Sequence, residues 1–422
     1  MEEKFVTAAG IPLYAYRNPA LHGFCLSLYV RAGAMYEEAE RNGETHFVEH
    51  MLFRSINRRM DGGLYPLLDR CGLSFNAETY KEFVQFYLVG SSSHFADAVT
   101  VFSHLFDPMD LPRSEIDPER QRIKSEIRES NEETSLEYFS DGIVWENTSL
   151  ARSILGRHKT LDAIGCTALR DAARRVFSPN NLFFYVTGNV TDARIADFCS
   201  ALSVPLENSA PFRDNTAPVP ANFQNRPREI FVKSGDETSL RFSFDFDATS
   251  CTHAEMMLLY DILFYGECGK IYRELSDRTG LIYSFDPSLE RYGNIGVLHL
   301  RYEVRPANLV RSVELVCQIL CNLKKGLTDE LDYVRPLYLD NGGLLLDNAE
   351  DLNWNRAYEV HILNCAYPSH EDRKKAFASV SPQRISQLAR EIFRPENLTL
   401  AIKGNKKWKS EKALLDLVEK LG

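Results

Sequence analysis

The chain has 422 residues, 44% of them apolar and 26% charged, and a formal net charge of −10. It is too long for one ordinary domain of ~150 residues, and long enough to bury large cores without disulfides. These figures exclude a disordered, collagen-like or cysteine-stapled chain, and the acidic balance argues against a general nucleic-acid binder, whose footprint is basic.

The opening MEEKFVTAAGIPLYAYRNP places two acids ahead of any apolar stretch and lacks the basic-then-apolar order of a secretory signal. Strands are expected at IPLYAY, FCLSLYVRAG and EFVQFYLVG. Helices are expected at SSSHFADAVTVFSHLF, over the charged stretch from Pro118 to about Glu133, and at LDAIGCTALRDAARRVF. In the second half, REIFVKS, SLRFSFDF, IYSFDPS and NIGVLHLRYEV read as strands, and ANLVRSVELVCQILCNLKKG carries apolar residues at helical spacing. No run approaches the ~18 apolar residues that a membrane span needs. The nine cysteines form no CxxC pair, and Cys317 and Cys321 read as buried thiols on an apolar helix. A reducing, cytoplasmic location is expected.

The chain repeats itself. Ala173–Asn189, ARRVFSPNNLFFYVTGN, matches Ala389–Asn405, AREIFRPENLTLAIKGN, at eight of seventeen positions without a gap. Each copy reads as a helix end, a proline that stops it, and a β-rich strand closed by Gly-Asn. One copy per half indicates a duplicated domain rather than a solenoid. The proline-rich stretch Pro205–Pro227 between the halves reads as a linker. The expected organisation is therefore a first domain at 1–204, a linker at 205–227 and a homologous domain at 228–422. Hairpin-like strand pairs with separate helical blocks predict an α+β fold, each domain a largely antiparallel sheet packed with helices.

The segment GETHFVEHMLFRS contains His46-Phe-Val-Glu49-His50. On a helix, positions i, i+3 and i+4 share a face. Two imidazoles four apart can hold one metal ion while Glu49 sits beside the open coordination position. A zinc ion lowers the pKa of a bound water towards ~7 and polarises a carbonyl, and a nearby Glu can accept the proton. The order His-x-x-Glu-His inverts the commoner His-Glu-x-x-His. The apolar neighbours Phe47, Val48, Met51, Leu52 and Phe53 bury this helix and leave few places for an unpaired polar group. A catalytic zinc takes three protein ligands. Glu119 and Glu126, two helical turns apart in DPERQRIKSEIRES, offer a third ligand and a supporting acid; taken alone, they also read as a solvated helical face.

The stretch RAGAMYEEAERNGETHFVEHMLFRSINRR, followed by ERQRIKSEI, whose Glu126 lies about 75 residues beyond His50, resembles the pitrilysin/insulinase family of inverted zincins. The likeness is closest to its short, two-domain subunits of the mitochondrial-processing-peptidase type. The resemblance implies one zinc per chain held by His46, His50 and Glu126, with Glu49 as general base and Glu119 as supporting acid. It also matches Asn76-Ala77, in CGLSFNAETYKEF, to an edge strand that pairs with extended peptide substrate. The family's second half supplies an Arg and a Tyr seven residues apart that hold the substrate. In GKIYRELSDRTGLIYSF, Tyr283 takes the Tyr position, but Ser276 stands where the Arg belongs. Serine cannot offer a charged, forked donor. Either Arg278 or Arg273 substitutes and the protein works as a homodimer, or a related zinc-less subunit supplies the Arg/Tyr pair in a heterodimer.

The resulting expectation is a zinc endopeptidase that cleaves peptides or unfolded segments in a closed chamber, as the catalytic subunit of a processing peptidase. The alternative is a non-catalytic assembly or scaffold subunit of the same family.

Overall fold

A computed structural model describes residues 1–109, 112–130, 134–202, 230–234, 238–326, 329–404 and 411–422. The expected linker at 205–227 lies outside them. The chain forms two compact units. Unit one comprises Met1–Asn131, Arg152–Pro218 and Leu344–Ser369; unit two comprises Glu132–Ala151, Val219–Gly343 and His370–Gly422. The units thus follow the two halves of the sequence, except that each half lends one helical segment to the other.

Unit one carries strands β1 (Glu3–Val6), β2 (Pro12–Arg17), β3 (Gly23–Val30), β4 (Ser74–Thr79), β5 (Val84–Ser91) and β6 (Leu182–Gly188), in the order β1-β2-β6-β3-β5-β4. Unit two carries β7 (Ile230–Ser234), β8 (Ser239–Asp247), β9 (Phe285–Arg291), β10 (Ile295–Glu303) and β11 (Leu398–Gly404), in the order β7-β11-β8-β10-β9. The second order repeats five strands of the first. In each sheet one pair is parallel, β2 with β6 and β7 with β11, and the other pairings are antiparallel. The fold is the expected α+β duplication, and the repeated segment forms the same helix, 3-10 turn and strand in each unit: Cys166–Val176, Pro179–Asn181 and β6, then Pro382–Ile392, Pro395–Asn397 and β11.

Strand alternation explains the two faces. Phe24, Leu26, Leu28 and Val30 of β3 point into the helical core, with Phe47, Met51, Leu52, Phe102, Ile123 and Phe198 among its helical residues. The intervening Cys25, Ser27 and Tyr29 are also fully buried. Their cover is the lent helix Ala349–Arg356, which runs on into a π-helical turn, Ala357–Ile362. Asn353 seals this contact. Its Oδ1 accepts from Ser27 Oγ at 2.8 Å and Tyr29 Oη at 3.2 Å, and its Nδ2 donates to the Cys25 and Tyr185 carbonyls at 3.1 Å each. In unit two the lent helix Leu136–Val144 does the same for β8: Arg241 Nη1 donates to Ser140 Oγ at 2.6 Å and pairs with Asp141 at 2.5 Å.

Three local expectations shift. The helix expected at 161–177 divides into His158–Ala163 and Cys166–Val176, with Gly165 capping the second. The charged helix runs from Arg113 to Glu129 and contains Pro118. The strand expected from Ile282 begins at Phe285, because Leu281 and Ile282 still donate to the Leu275 carbonyl and close the preceding π-turn. No helix among the described residues is long and apolar enough to cross a membrane.

Two outcomes are expected. Asn353→Leu leaves two hydroxyls and two carbonyls in unit one without their partner, and should cost about 3 kcal/mol in denaturant unfolding. Asp261 is buried in unit two, where burial, opposed by a 2.6 Å hydrogen bond from Tyr338, pushes its pKa up to about 6 from 3.8. Its protonated form therefore contributes stability that is full below about pH 4 and is lost as pH rises through about 6, a swing of about 3 kcal/mol. Unfolding curves of Asp261→Asn should lack this component and gain on the parent as pH rises from 4 to 7.

Candidate metal centre

The motif lies on a sixteen-residue helix, Glu44–Arg59. Its N-terminus is closed by Glu37, whose buried carboxylate accepts from the Gly43 N–H at 2.7 Å and the Thr45 N–H at 2.8 Å, and from Asn42 Nδ2 at 2.9 Å. An anion here satisfies orphan donors and complements the helix dipole. Burial still pushes the Glu37 pKa up against the pull of those donors. Gly43 has a positive φ of 94°, and a Cβ there would meet Gly156 Cα and Leu155 O at 2.8 Å, so the Asn-Gly before the motif meets a backbone constraint.

The helix buries Phe47, Val48, Met51 and Leu52 and brings His46, Glu49 and His50 to one locus, where their donor atoms lie within 4.8 Å of one another. His46 Nε2 and His50 Nε2 face each other at 3.3 Å. Glu126, on the helix Arg113–Glu129, approaches them with carboxylate oxygens 3.9 Å from His46 Nε2 and 3.6 Å from His50 Nε2. His50 Nδ1 lies 2.8 Å from Glu119 Oε1, and an anionic acceptor there keeps the proton on Nδ1 and the lone pair on Nε2. Arg54 Nε donates to the other Glu119 oxygen at 2.5 Å. Burial would raise the Glu119 pKa, but the hydrogen bonds from His50 and Arg54 together outweigh it and draw the carboxyl down to about 2. Burial, with the neighbouring His50, lowers His46 to about 3, so its imidazole is neutral and has no proton to lose on ligation.

Two facing Nε2 atoms and a nearby carboxylate form a donor set that fits a zinc ion. His46, His50 and Glu126 are the residues that could hold it. Glu49 is also buried. Burial raises its pKa, and a 2.6 Å hydrogen bond from Thr79 Oγ1 to Oε2 partly offsets that. Glu49 Oε1 takes no hydrogen bond from the described residues.

Thr79 ends β4, the edge strand of its sheet, which also bears exposed Asn76 and half-buried Ala77. Asn76 Nδ2 donates to Ser74 Oγ at 3.0 Å. Tyr283 belongs to unit two and is 96% exposed. Ser276 lies within the π-helical turn Tyr272–Asp277, and Arg278, which follows it, pairs with Glu274 at 2.6 Å, while Arg273 is exposed. Glu37, Arg54 and Thr79 are participants that sequence reasoning missed. Arg54 continues the His46-His50 helical series at i+4 and could have been found that way; Thr79 and Glu37 carry no local signal.

The inverted His-x-x-Glu-His helix is thus set against a carboxylate-bearing helix in a duplicated α+β chain. The profile described as insulinase (peptidase family M16) matches residues 17–158, and that described as the peptidase M16 inactive domain matches residues 164–333. The chain belongs to the M16 peptidase family, as a short two-domain member. It is 22% identical to the uncharacterized zinc protease YmxG of Bacillus subtilis, over 95% of this chain and 98% of that protein. It is 27% identical to the human mitochondrial-processing peptidase subunit beta, over 43% of this chain and 38% of that protein. The fold matches a protease from Helicobacter pylori with a TM-score of 0.86 at 16% identity, over 96% of this chain and 99% of the other.

Replacing Glu119 by Gln removes the anion that fixes the His50 proton, and should weaken zinc binding about 10–100-fold in a competition titration with a chromophoric chelator.

Proposed function

We propose that this chain is a zinc-dependent endopeptidase acting on peptides or unfolded segments, with one zinc at His46, His50 and Glu126. The observation that carries the proposal is the placement of Glu49 beside both imidazoles, with Oε2 held by Thr79 and Oε1 left without a hydrogen bond. Zinc, when bound, supplies a Lewis acid that polarises a carbonyl and acidifies water. Glu49 Oε1 accepts the proton of the attacking water and later passes it to the leaving amine; the raised proton affinity that burial gives it suits both steps. Thr79 keeps the carboxylate oriented meanwhile. Glu119 and Arg54 hold His50 in one tautomer throughout.

The free edge of β4 suits an extended peptide, which would add as a further strand beside Asn76 and Ala77. Such pairing reads backbone more than side chains. Flexible substrates, such as a leader or a small peptide, fit this mode, and an enclosed chamber shared with a partner subunit would exclude folded proteins. Tyr283 is the remaining substrate contact. Since Ser276 replaces the family Arg and Arg278 is engaged by Glu274, a related zinc-less subunit supplying an Arg/Tyr pair is the favoured partner over a second copy of this chain. Nine free cysteines support a reducing, cytoplasmic setting.

Metal analysis and quenched-peptide cleavage by the parent chain and Glu49→Gln test the proposal. One zinc at this site in both, with cleavage reduced at least 1,000-fold in the variant, is expected. Absence of zinc there overturns it. Zinc without cleavage, even with a zinc-less family member added, identifies an assembly subunit instead.

A further inference from the structure

Away from the motif helix, unit one holds a second cluster of metal-ligating side chains: Cys71, His94 and Asp97, each with a donor atom within 4.8 Å of the other two. The fold explains why they meet. Cys71 ends the helix Leu64–Cys71, and after Gly72 and Leu73 the chain enters β4. Strand β4 pairs antiparallel with β5 in the register Ser74↔Val89, so the residue before β4 and the residues after β5 emerge at the same end of the hairpin. His94 follows β5 there, and Asp97 stands in the first turn of the next helix, Phe95–Ser103.

The side chains are poised for ligation. His94 Nδ1 lies 2.9 Å from Asp97 Oδ2, while His94 Nε2 and the Cys71 thiol have no hydrogen-bond partner among the described residues. All three are half-buried, and Cys71 packs against the core, which limits its rotamers. A tetrahedral ion with bonds of about 2.0–2.3 Å spans donors up to about 4 Å apart. Small side-chain rotations are enough to close the cluster on one ion. Thiol, imidazole and carboxylate together select a borderline divalent cation rather than magnesium or calcium.

We infer that Cys71, His94 and Asp97 form a second divalent-metal site, which takes zinc or a similar transition-metal ion and staples the helix Leu64–Cys71 to the helix Phe95–Ser103 across the root of the β4–β5 hairpin. The thiol proton passes to solvent as the sulfur–metal bond forms, and the metal keeps its oxidation state. The staple steadies the edge strand that bears Asn76 and Thr79. The inference does not depend on the activity proposed for the motif helix, whose donors include no sulfur.

That difference supplies the test. Cobalt(II) is titrated into the full chain and into Cys71→Ser and His94→Gln. A near-ultraviolet thiolate-to-cobalt charge-transfer band is expected, saturating by two equivalents in the parent, since the motif helix can take one of them, and absent from both variants. Its absence from the parent, or its survival in Cys71→Ser, overturns the site. On the parent chain alone, zinc should slow alkylation of Cys71 by iodoacetamide at least tenfold, read by peptide mass spectrometry. Equal alkylation with and without zinc would reduce the cluster to an i,i+3 hydrogen-bonded pair beside a surface thiol.

Discussion

The candidate centre depends on one buried carboxylate. Glu119 joins two helices that are far apart in sequence, accepting from His50 on one side and Arg54 on the other, both on the motif helix. A helix that buries Phe47, Val48, Met51 and Leu52 has little room for charge. Glu119 remains anionic there because two donors hold it so, and the anion fixes which nitrogen of His50 carries the proton. The direction of the His50 lone pair, its meeting with His46 Nε2 and the approach of Glu126 follow from that bond and from the helical repeat. The polar trio on the motif helix is tolerable because partners arrive from outside it.

Both units cover the far face of the sheet in the same way. The inner face is apolar and packs on helices contributed mainly by the same half of the chain. The outer face carries a buried polar row, Ser27 with Tyr29 in one unit and Arg241 with Ser243 in the other. Each row is answered by a helix from the opposite half, through Asn353 in the first unit and through Ser140 and Asp141 in the second. Buried polar groups accept only partners of matched geometry, so these rows specify which helix docks, where apolar faces would accept many.

Much of this is legible in the sequence. His46, Glu49 and His50 can be read because helical spacing alone places them together, and the duplication can be read because Ala173–Asn189 and Ala389–Asn405 keep the same punctuation. Glu119 and Glu126 lie about seventy residues away, and nothing in their own helix marks them off from a solvated face; the likeness to a family assigns them. Thr79 and Glu37 escape detection because their contacts run between elements, and a threonine ending a strand or a glutamate in an acidic turn looks ordinary. The exchange of helical segments is also hidden. An amphipathic pattern states that a helix has a face to bury, but not which sheet will receive it. The early start of the helix at Arg113 shows a proline accepted inside a helix that tertiary packing supports.

The exchanged segments bear on how the protein emerges from a ribosome. Nearly all of the first unit has been synthesised by residue 218, yet the helix that answers Ser27 and Tyr29 lies beyond residue 344. More than a hundred residues must be translated between them, which takes several seconds or more at ~5–20 residues per second. During that interval a sheet face destined for the interior, lined by Tyr29, Phe83, Phe183 and Tyr185, waits without its lid. Nascent chains of this kind offer holding chaperones a defined aromatic surface, and completion of the first unit is timed by synthesis of the last quarter of the chain.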